Sequence, residues 1–244
     1  DRWRGFADIA DSRHLSNSVE REVVDALEHA VTEAYPRLSH RYYRMKAKWL
    51  GMDKLMHWDR NAPLPAEDTR EVPWADAQQI VLKAYGEFAP EMASIAKTFF
   101  DRNWIDAPTR PGKAPGAFAH PTVPSAHPYV LLNYLGKTRD VMTLAHELGH
   151  SMHSYLTWQN QPLVYADYSL FVAEVASNFH QAMVRAHLLK TNPDKNFQIA
   201  VIEEAMANFY RYFFIMPTLA RFELETHTRI ENGQPLTADS MIQL

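Results

Sequence analysis

The sequence contains no cysteine. That excludes a disulfide framework and a cysteine nucleophile, and it fits a reducing compartment. No apolar run approaches the roughly 20 residues that a bilayer-spanning helix needs. No secretory leader is visible. The chain opens at Asp1-Arg2-Trp3 without an initiator Met, so that absence says little about a longer parent. Neither sign of charge dominates: 25 Lys and Arg against 29 Asp and Glu leave a net −4. This gives no electrostatic case for nucleic acid or an anionic membrane. Internal repeats and low-complexity tracts are also lacking. The expectation is a cytoplasmic protein with neither nucleic acid nor membrane as a partner.

What is present is a globular composition, 46% hydrophobic and 22% charged over 244 residues, enough for one or two domains. The best single division treats 1–244 as one incomplete catalytic domain. Its parts are a helical stretch 1–106, a cleft loop and strand 107–136, metal-site helices 137–190, and a helical stretch 191–244.

The stretch that organises the chain is Thr143-Leu-Ala-His146-Glu147-Leu-Gly-His150-Ser-Met-His153. It lies in a helix-like segment from Asp140, a reasonable N-cap, to Trp158. On an α-helix, residues four apart share a face, so His146 and His150 can bind one metal ion. Zinc favours such nitrogen ligands in a near-tetrahedral shell. Glu147, beside the first imidazole, can reach a metal-bound water as general base. The bland alternative is a helix with two satisfied histidines.

A catalytic zinc usually takes a third protein ligand. Glu174 is the best candidate, a single carboxylate in the apolar run Leu170-Phe-Val-Ala-Glu174-Val-Ala-Ser177. A buried carboxylate is costly unless it is paired or metal-bound. His153 competes, but it lies about 10 Å along the helix axis from His146. One straight helix cannot deliver all three imidazoles to one ion, so His153 is expected in the second shell or the core.

The rest of the chain is largely helical by period. Asn17 to Glu20 has the form of a capping box, followed by helical spacing from Val23 to Ala34. Pro36 breaks that helix, and a second, basic and aromatic, runs to Gly51. Met56 to Asp59 looks extended, with a turn from Asn61 to Pro65. Helices follow over 76–88 and 91–104. Proline and glycine then concentrate between Pro108 and Pro128; interleaved Phe118, His120, Val123 and His127 suggest an ordered cleft loop rather than a linker. Tyr129 to Tyr134 is the clearest strand. Asp167 is placed to cap the helix that carries Glu174. A long helix over 196–226 is expected to kink at Pro217, and Thr237 to cap a last one.

His-Glu-Leu-Gly-His-Ser-Met-His-Ser-Tyr from His146, with Tyr165-Ala-Asp-Tyr-Ser-Leu-Phe-Val-Ala-Glu174-Val-Ala-Ser, resembles oligoendopeptidase F, a branch of the thimet-oligopeptidase-like M3 family of zinc metallopeptidases. The resemblance is strongest from about Ala114 to Ala176. It implies a mainly α, zincin-like catalytic domain of packed helices with a small β-sheet beside the metal-binding helix. It implies one Zn2+ held by His146, His150 and Glu174, with Glu147 as the base, in an endopeptidase for short oligopeptides. In zinc peptidases of this build an edge strand pairs with the substrate backbone. That role would fall to residues 130–134, with Leu132, Asn133, Tyr134 and the nearby His120 as substrate-binding candidates. The alternative is an internal strand without substrate contact.

The chain departs from the family where an Asn-Glu pair is expected and His180-Gln181 stands. Gln181 shares a helix face with Glu174 and is a second-shell candidate, without charge. The family's further C-terminal oxyanion donor is not matched. Tyr165, Tyr168 and His227 are conceivable stand-ins, with local packing the preferred role for each. Two functions follow: a zinc endopeptidase complete enough to turn over, or a zinc-binding but catalytically incomplete fragment, partnered by the missing part of its parent chain. A helical scaffold without metal would require the motif to be accidental.

Overall fold

The structure is a computed structural model that describes residues 2–64 and 70–244. Asp1 and Pro65, which the sequence reading placed in a leading loop and in a turn, lie outside the described residues. In chain order the helices are α1 (Asp11–Asn17), α2 (Arg21–Ala34), α3 (Ser39–Trp49), α4 (Trp74–Phe88), α5 (Pro90–Asp101), α6 (Thr138–Asn160), α7 (Leu170–Thr191), α8 (Lys195–Tyr210), α9 (Met216–Glu231) and α10 (Ala238–Ile242). Three short strands lie between α5 and α6: β1 (Ile105–Pro108), β2 (Phe118–His120) and β3 (Tyr129–Tyr134). The fold is mainly α with one small sheet, as expected. No helix among the described residues is long and apolar enough to cross a membrane.

The chain divides into two compact units, Asp1–Pro65 with Glu203–Leu244, and Ala66–Ile202. In the first, a small core joins Val31, Tyr42, Tyr210 and Phe214, with the Tyr42 and Tyr210 rings stacked 4.5 Å apart. The Lys46 ammonium is buried there. It donates to Glu203 Oε1 at 3.2 Å and to the Arg60 carbonyl at 3.1 Å. Tyr42 donates to the same carboxylate oxygen at 2.7 Å. Burying a lysine costs several kcal/mol unless it is paired and hydrogen-bonded, and here it is both. Residues 211–215 form a π-helical turn just before Pro217. Pro217 has no N–H to return to the preceding turn, and the helix widens where that bond is lost.

The second unit holds the larger core. Val81 and Tyr85 of α4, Phe99 of α5, Val130 and Leu132 of β3, Leu144, Leu148 and Met152 of α6 and Val184 of α7 are all buried in it. The closest helix pairing is α6 on α7. One glycine allows it: a Cβ on Gly149 would lie 2.9 Å from the Ser177 Cα and 3.0 Å from His180 Cβ. No alanine fits there without moving one helix.

The sheet order is β1-β3-β2, with β1 parallel and β2 antiparallel to β3. The strand expected to meet substrate, residues 130–134, is the central one: β1 pairs with it along one edge, and on the other β2 pairs with Tyr129, Val130 and Leu131. Its buried side chains, Val130 and Leu132, share one face and enter the core, as alternation along a strand requires.

Several local expectations also change. Asn17 ends α1 instead of capping α2, and Ser18 follows it at φ 56. The N-cap of α2 is Glu20, without a side-chain cap bond. His57–Asn61 is a 3-10 turn rather than an extended segment, with the Asp59 carboxylate accepting from the Met56 N–H at 3.0 Å. Asp140 sits one turn inside α6 and accepts from the Lys137 and Leu135 N–H groups, both at 2.9 Å. Ser169, not Asp167, caps α7, accepting from the Val172 N–H. At α7 a neighbouring side chain of similar capping ability takes the position, which pattern alone does not rank.

Candidate metal centre

The buried stripe of α6 packs on the buried stripe of α7, and the two set three donors face to face. His146, His150 and Glu174 each offer an atom, and those atoms all lie within 4.8 Å of one another. His146 Nε2 is 3.4 Å from Glu174 Oε2, and His150 Nε2 is 3.7 Å from Glu174 Oε1. Four-coordinate zinc with bonds of about 2.0–2.2 Å separates its ligand atoms by roughly 3.3–3.6 Å. The two imidazoles approach different oxygens of the Glu174 carboxylate at distances close to such an edge, the cluster as a whole is wider, within 4.8 Å, and the donor set, two imidazoles and a carboxylate, suits zinc. Among the described residues this is the one cluster of at least three such donors.

Neighbours orient these groups. Gln181, buried on α7, places Oε1 3.3 Å from His146 Nδ1. An amide oxygen can only accept, so Nδ1 carries the proton and Nε2 keeps its lone pair toward Glu174. Ser177 Oγ lies 3.1 Å from Glu174 Oε2. His153 takes another course: its ring packs on Tyr168 at 4.2 Å, away from the three-donor cluster. Burial lowers the pKa of His153 and that of His150. For His150, the neighbouring His146 acts in the same direction and the Glu174 carboxylate opposes it.

Glu147 is the strongly perturbed carboxyl of this region. Burial first, and then the negative charge of Glu174, push it up to about 7. The Ala119 backbone N–H that faces it pulls the other way. That amide comes from β2, and the strand phase explains its direction. Val130 of β3 donates to the Trp104 carbonyl at 3.0 Å, so its backbone polar groups face β1. Ala119, opposite Val130, therefore turns its N–H and C=O away from β3.

The surroundings of Glu174 differ from the expected buried apolar run. Phe171, Val172 and Val175 are exposed. The buried stripe of α7 is Ala173, Ser177, His180, Gln181, Val184 and Leu188, and Glu174 sits at its margin, 37% exposed. The substrate-binding candidates are mostly committed elsewhere. The Leu132 side chain is in the core. Tyr134 donates to the Val72 carbonyl at 2.6 Å and stands edge-on to Trp74. Asn133 donates to the carbonyls of Ala114 and Gly116, each at 2.9 Å. His120 is exposed on β2, its Nδ1 accepting from the Thr122 N–H at 3.0 Å. Sequence reasoning missed the Ala119 amide and the role of Gly149. The glycine was visible inside the histidine motif; the amide depended on strand phase.

The profile of Peptidase family M3 matches residues 2–244. Oligopeptidase PepF of Bacillus subtilis is 33% identical over 98% of this chain and 35% of its own length. An oligoendopeptidase F homolog of Lactococcus lactis is 32% identical over 99% of this chain and 40% of its own. The solved structure of a provisionally assigned oligoendopeptidase F from Bacillus anthracis superposes with a TM-score of 0.79. It shares 16% identity over 99% of this chain and 44% of that one, a likeness of fold. The chain thus spans well under half the length of these relatives.

Proposed function

The chain belongs to peptidase family M3, and from that premise we propose that it carries the catalytic centre of a zinc-dependent endopeptidase for short oligopeptides. The observation that carries the reading is the convergence of His146, His150 and Glu174 within 4.8 Å beside a half-buried Glu147 whose carboxyl is pushed up to about 7. His146 and His150 offer Nε2 and Glu174 a carboxylate oxygen to one Zn2+. Bound there, zinc supplies Lewis acidity toward the scissile carbonyl.

Glu147 does the proton work. As a carboxylate, the form that a cation bound nearby would favour, it accepts a proton from the attacking water and releases it to the leaving amine. Gln181 holds His146 in the tautomer that a cation needs. Substrate pairing, expected first at β3, passes in this reading to the outer edge of β2. Ala119 turns its C=O outward there, ready for a peptide N–H, and main-chain pairing of this kind asks little of substrate side chains. His120, exposed on the same strand, is the remaining side-chain candidate.

A second reading, a centre that holds zinc without turnover, draws support from Tyr168. Its hydroxyl is engaged with Ser154 Oγ at 2.6 Å, which argues against its serving as an oxyanion donor. The test is hydrolysis of a short internally quenched peptide by the zinc-loaded chain beside a Glu147→Gln variant. Chelator-sensitive cleavage that the variant loses supports the endopeptidase. Bound zinc without cleavage removes the active-enzyme reading for this chain and leaves the second.

A further inference from the structure

We infer that Asn133 is a positioning residue, whose side-chain amide sets β2 at the height where Ala119 presents its N–H to Glu147. This rests on the endopeptidase reading for its catalytic meaning, but not for its geometry. β2 is three residues long and, within the sheet, pairs on one side only, with β3. A strand so short gains little from its own ladder. Its flanking loops must therefore help to fix its place: Thr122 Oγ1 donates to the His127 carbonyl at 2.7 Å in the one after it, and the one before it is held from β1 and β3.

Arg110, Lys113 and Asn133 hold that loop, Arg110 by donating to both Asp106 carboxylate oxygens, at 2.7 and 2.6 Å. Lys113 is folded inward, its side chain 2% exposed. It donates to the carbonyls of Asp106 at 2.9 Å and Pro108 at 2.8 Å, tying the loop to β1. Asn133 extends from β3 and spends both amide hydrogens on the loop, on the Ala114 and Gly116 carbonyls. Gly116, at φ 84, is the last turn before Ala117 and β2. The clamp is thus applied two residues from the strand it steadies, by a side chain on the strand with which β2 pairs. A carboxylate or an aliphatic group at position 133 would leave both carbonyls without their donor.

The consequence reaches the site through the backbone. Ala119 faces away from β3 because of the sheet phase, and β2 packs on α6. Its N–H therefore meets Glu147 only while β2 keeps its height along β3. A slip of one residue would turn the next amides away from the carboxylate. With both amide hydrogens spent on the Ala114 and Gly116 carbonyls, Asn133 acts through the loop, β2 and Ala119.

The test compares amide hydrogen exchange in the chain and its Asn133→Ala variant, with Asn133→Ser, which keeps one donor, as a milder second variant. Exchange over 114–120 should rise about tenfold or more in the alanine variant and less in the serine variant. Exchange over 105–107 and within α6 should stay unchanged. Unaltered exchange over 114–120, or a uniform rise across the whole second unit, would overturn the inference. In protein that hydrolyses peptide, kcat should fall on the order of tenfold at equal zinc stoichiometry, and unchanged kcat would also overturn it. Absence of hydrolysis in the unsubstituted chain would count against the endopeptidase reading alone, because the exchange measurement needs no turnover.

Discussion

Gly149 and Ser177 stand where two helices touch by their backbones: a Cβ on the glycine would come within 2.9 Å of the serine Cα. The glycine lies between the two histidines of α6, one residue before His150, and the serine lies three residues after Glu174 on α7. The contact therefore sets the separation on which the three-donor cluster depends. A larger residue at 149 must push α7 away, and Glu174 moves with it.

Gly149→Ala is thus expected to run against helix propensity. Alanine inside a helix should gain about 1 kcal/mol over glycine. Overpacking against a backbone atom should cost more, for a net loss on the order of 1–3 kcal/mol. Zinc affinity should fall at least about tenfold as well, because the ligand carboxylate is displaced. Denaturant unfolding and a zinc titration of the variant measure both. A variant as stable as the parent chain, with equal affinity, would show that the helix contact does not govern the cluster.

Glu147 gives the metal-free protein a specific pH signature. Its carboxyl titrates near 7 in the folded chain, against an ordinary value of 4.5. Between those values the folded state holds a proton that the unfolded state has released. Stability from this group is therefore highest at low pH and falls as pH rises from about 4.5 to 7, then levels. Glu147→Gln removes that slope, so its stability relative to the unsubstituted chain should grow across the window and stay constant above it. Unfolding measured from about pH 5 to 8 in chelator decides this; parallel curves would mean that Glu147 is not held in an unfavourable charged state.

Much of this was legible in the sequence because it is carried by local patterns. The spacing of His146 and His150 fixes their shared face on any helix. Periodic runs located α4, α5, α6 and α7 to within a few residues, while the single helix expected over 196–226 is α8, a π-helical turn and α9, which runs on to Glu231. Thr237 does cap the last helix, accepting from Ser240 N–H. What escaped was non-local. Whether Tyr129 to Tyr134 lies at an edge or in the centre depends on strands of three and four residues, too short to leave a period. Asn133 gave no hint that its amide would be spent on a loop many residues away. The Ala119 amide has no side-chain signature, since its direction comes from the phase of a sheet. The apolar run around Glu174 misled because hydrophobic residues need not be buried. Helix periodicity through Ala173, Ser177, Gln181 and Val184 marks the inward stripe better than local hydrophobicity does.

Zinc should couple to folding through the three donors. At about 100 times its dissociation constant, an ion that binds only the folded chain adds roughly 2.7 kcal/mol to stability. Thermal melts with zinc and with chelator should differ accordingly. His146→Ala and Glu174→Ala should abolish the difference while leaving the chelated melting temperature nearly unchanged, since neither side chain is in the core. Glu147→Gln should keep it. If zinc still stabilises both ligand variants, the ion sits elsewhere on the chain.

Gln181 offers the finest test of the site, because it acts on the metal only through His146. Its Oε1 stands 3.3 Å from His146 Nδ1, and accepting that N–H fixes the imidazole for donation through Nε2. Gln181→Leu keeps much of the volume and removes the acceptor, so the ring loses its orientation and its preferred tautomer. Partners of this kind are worth about 10- to 100-fold in metal affinity, and a loss of that size is expected. Gln181→Glu should act in the opposite sense: an anionic acceptor makes the imidazole a better donor and adds negative charge beside the cation. The order Glu, Gln, Leu in zinc affinity, measured by competition with a chromophoric chelator, is the signature of a residue working through the ligand. Should leucine bind as tightly as glutamine, His146 would owe its orientation to packing on α7 alone.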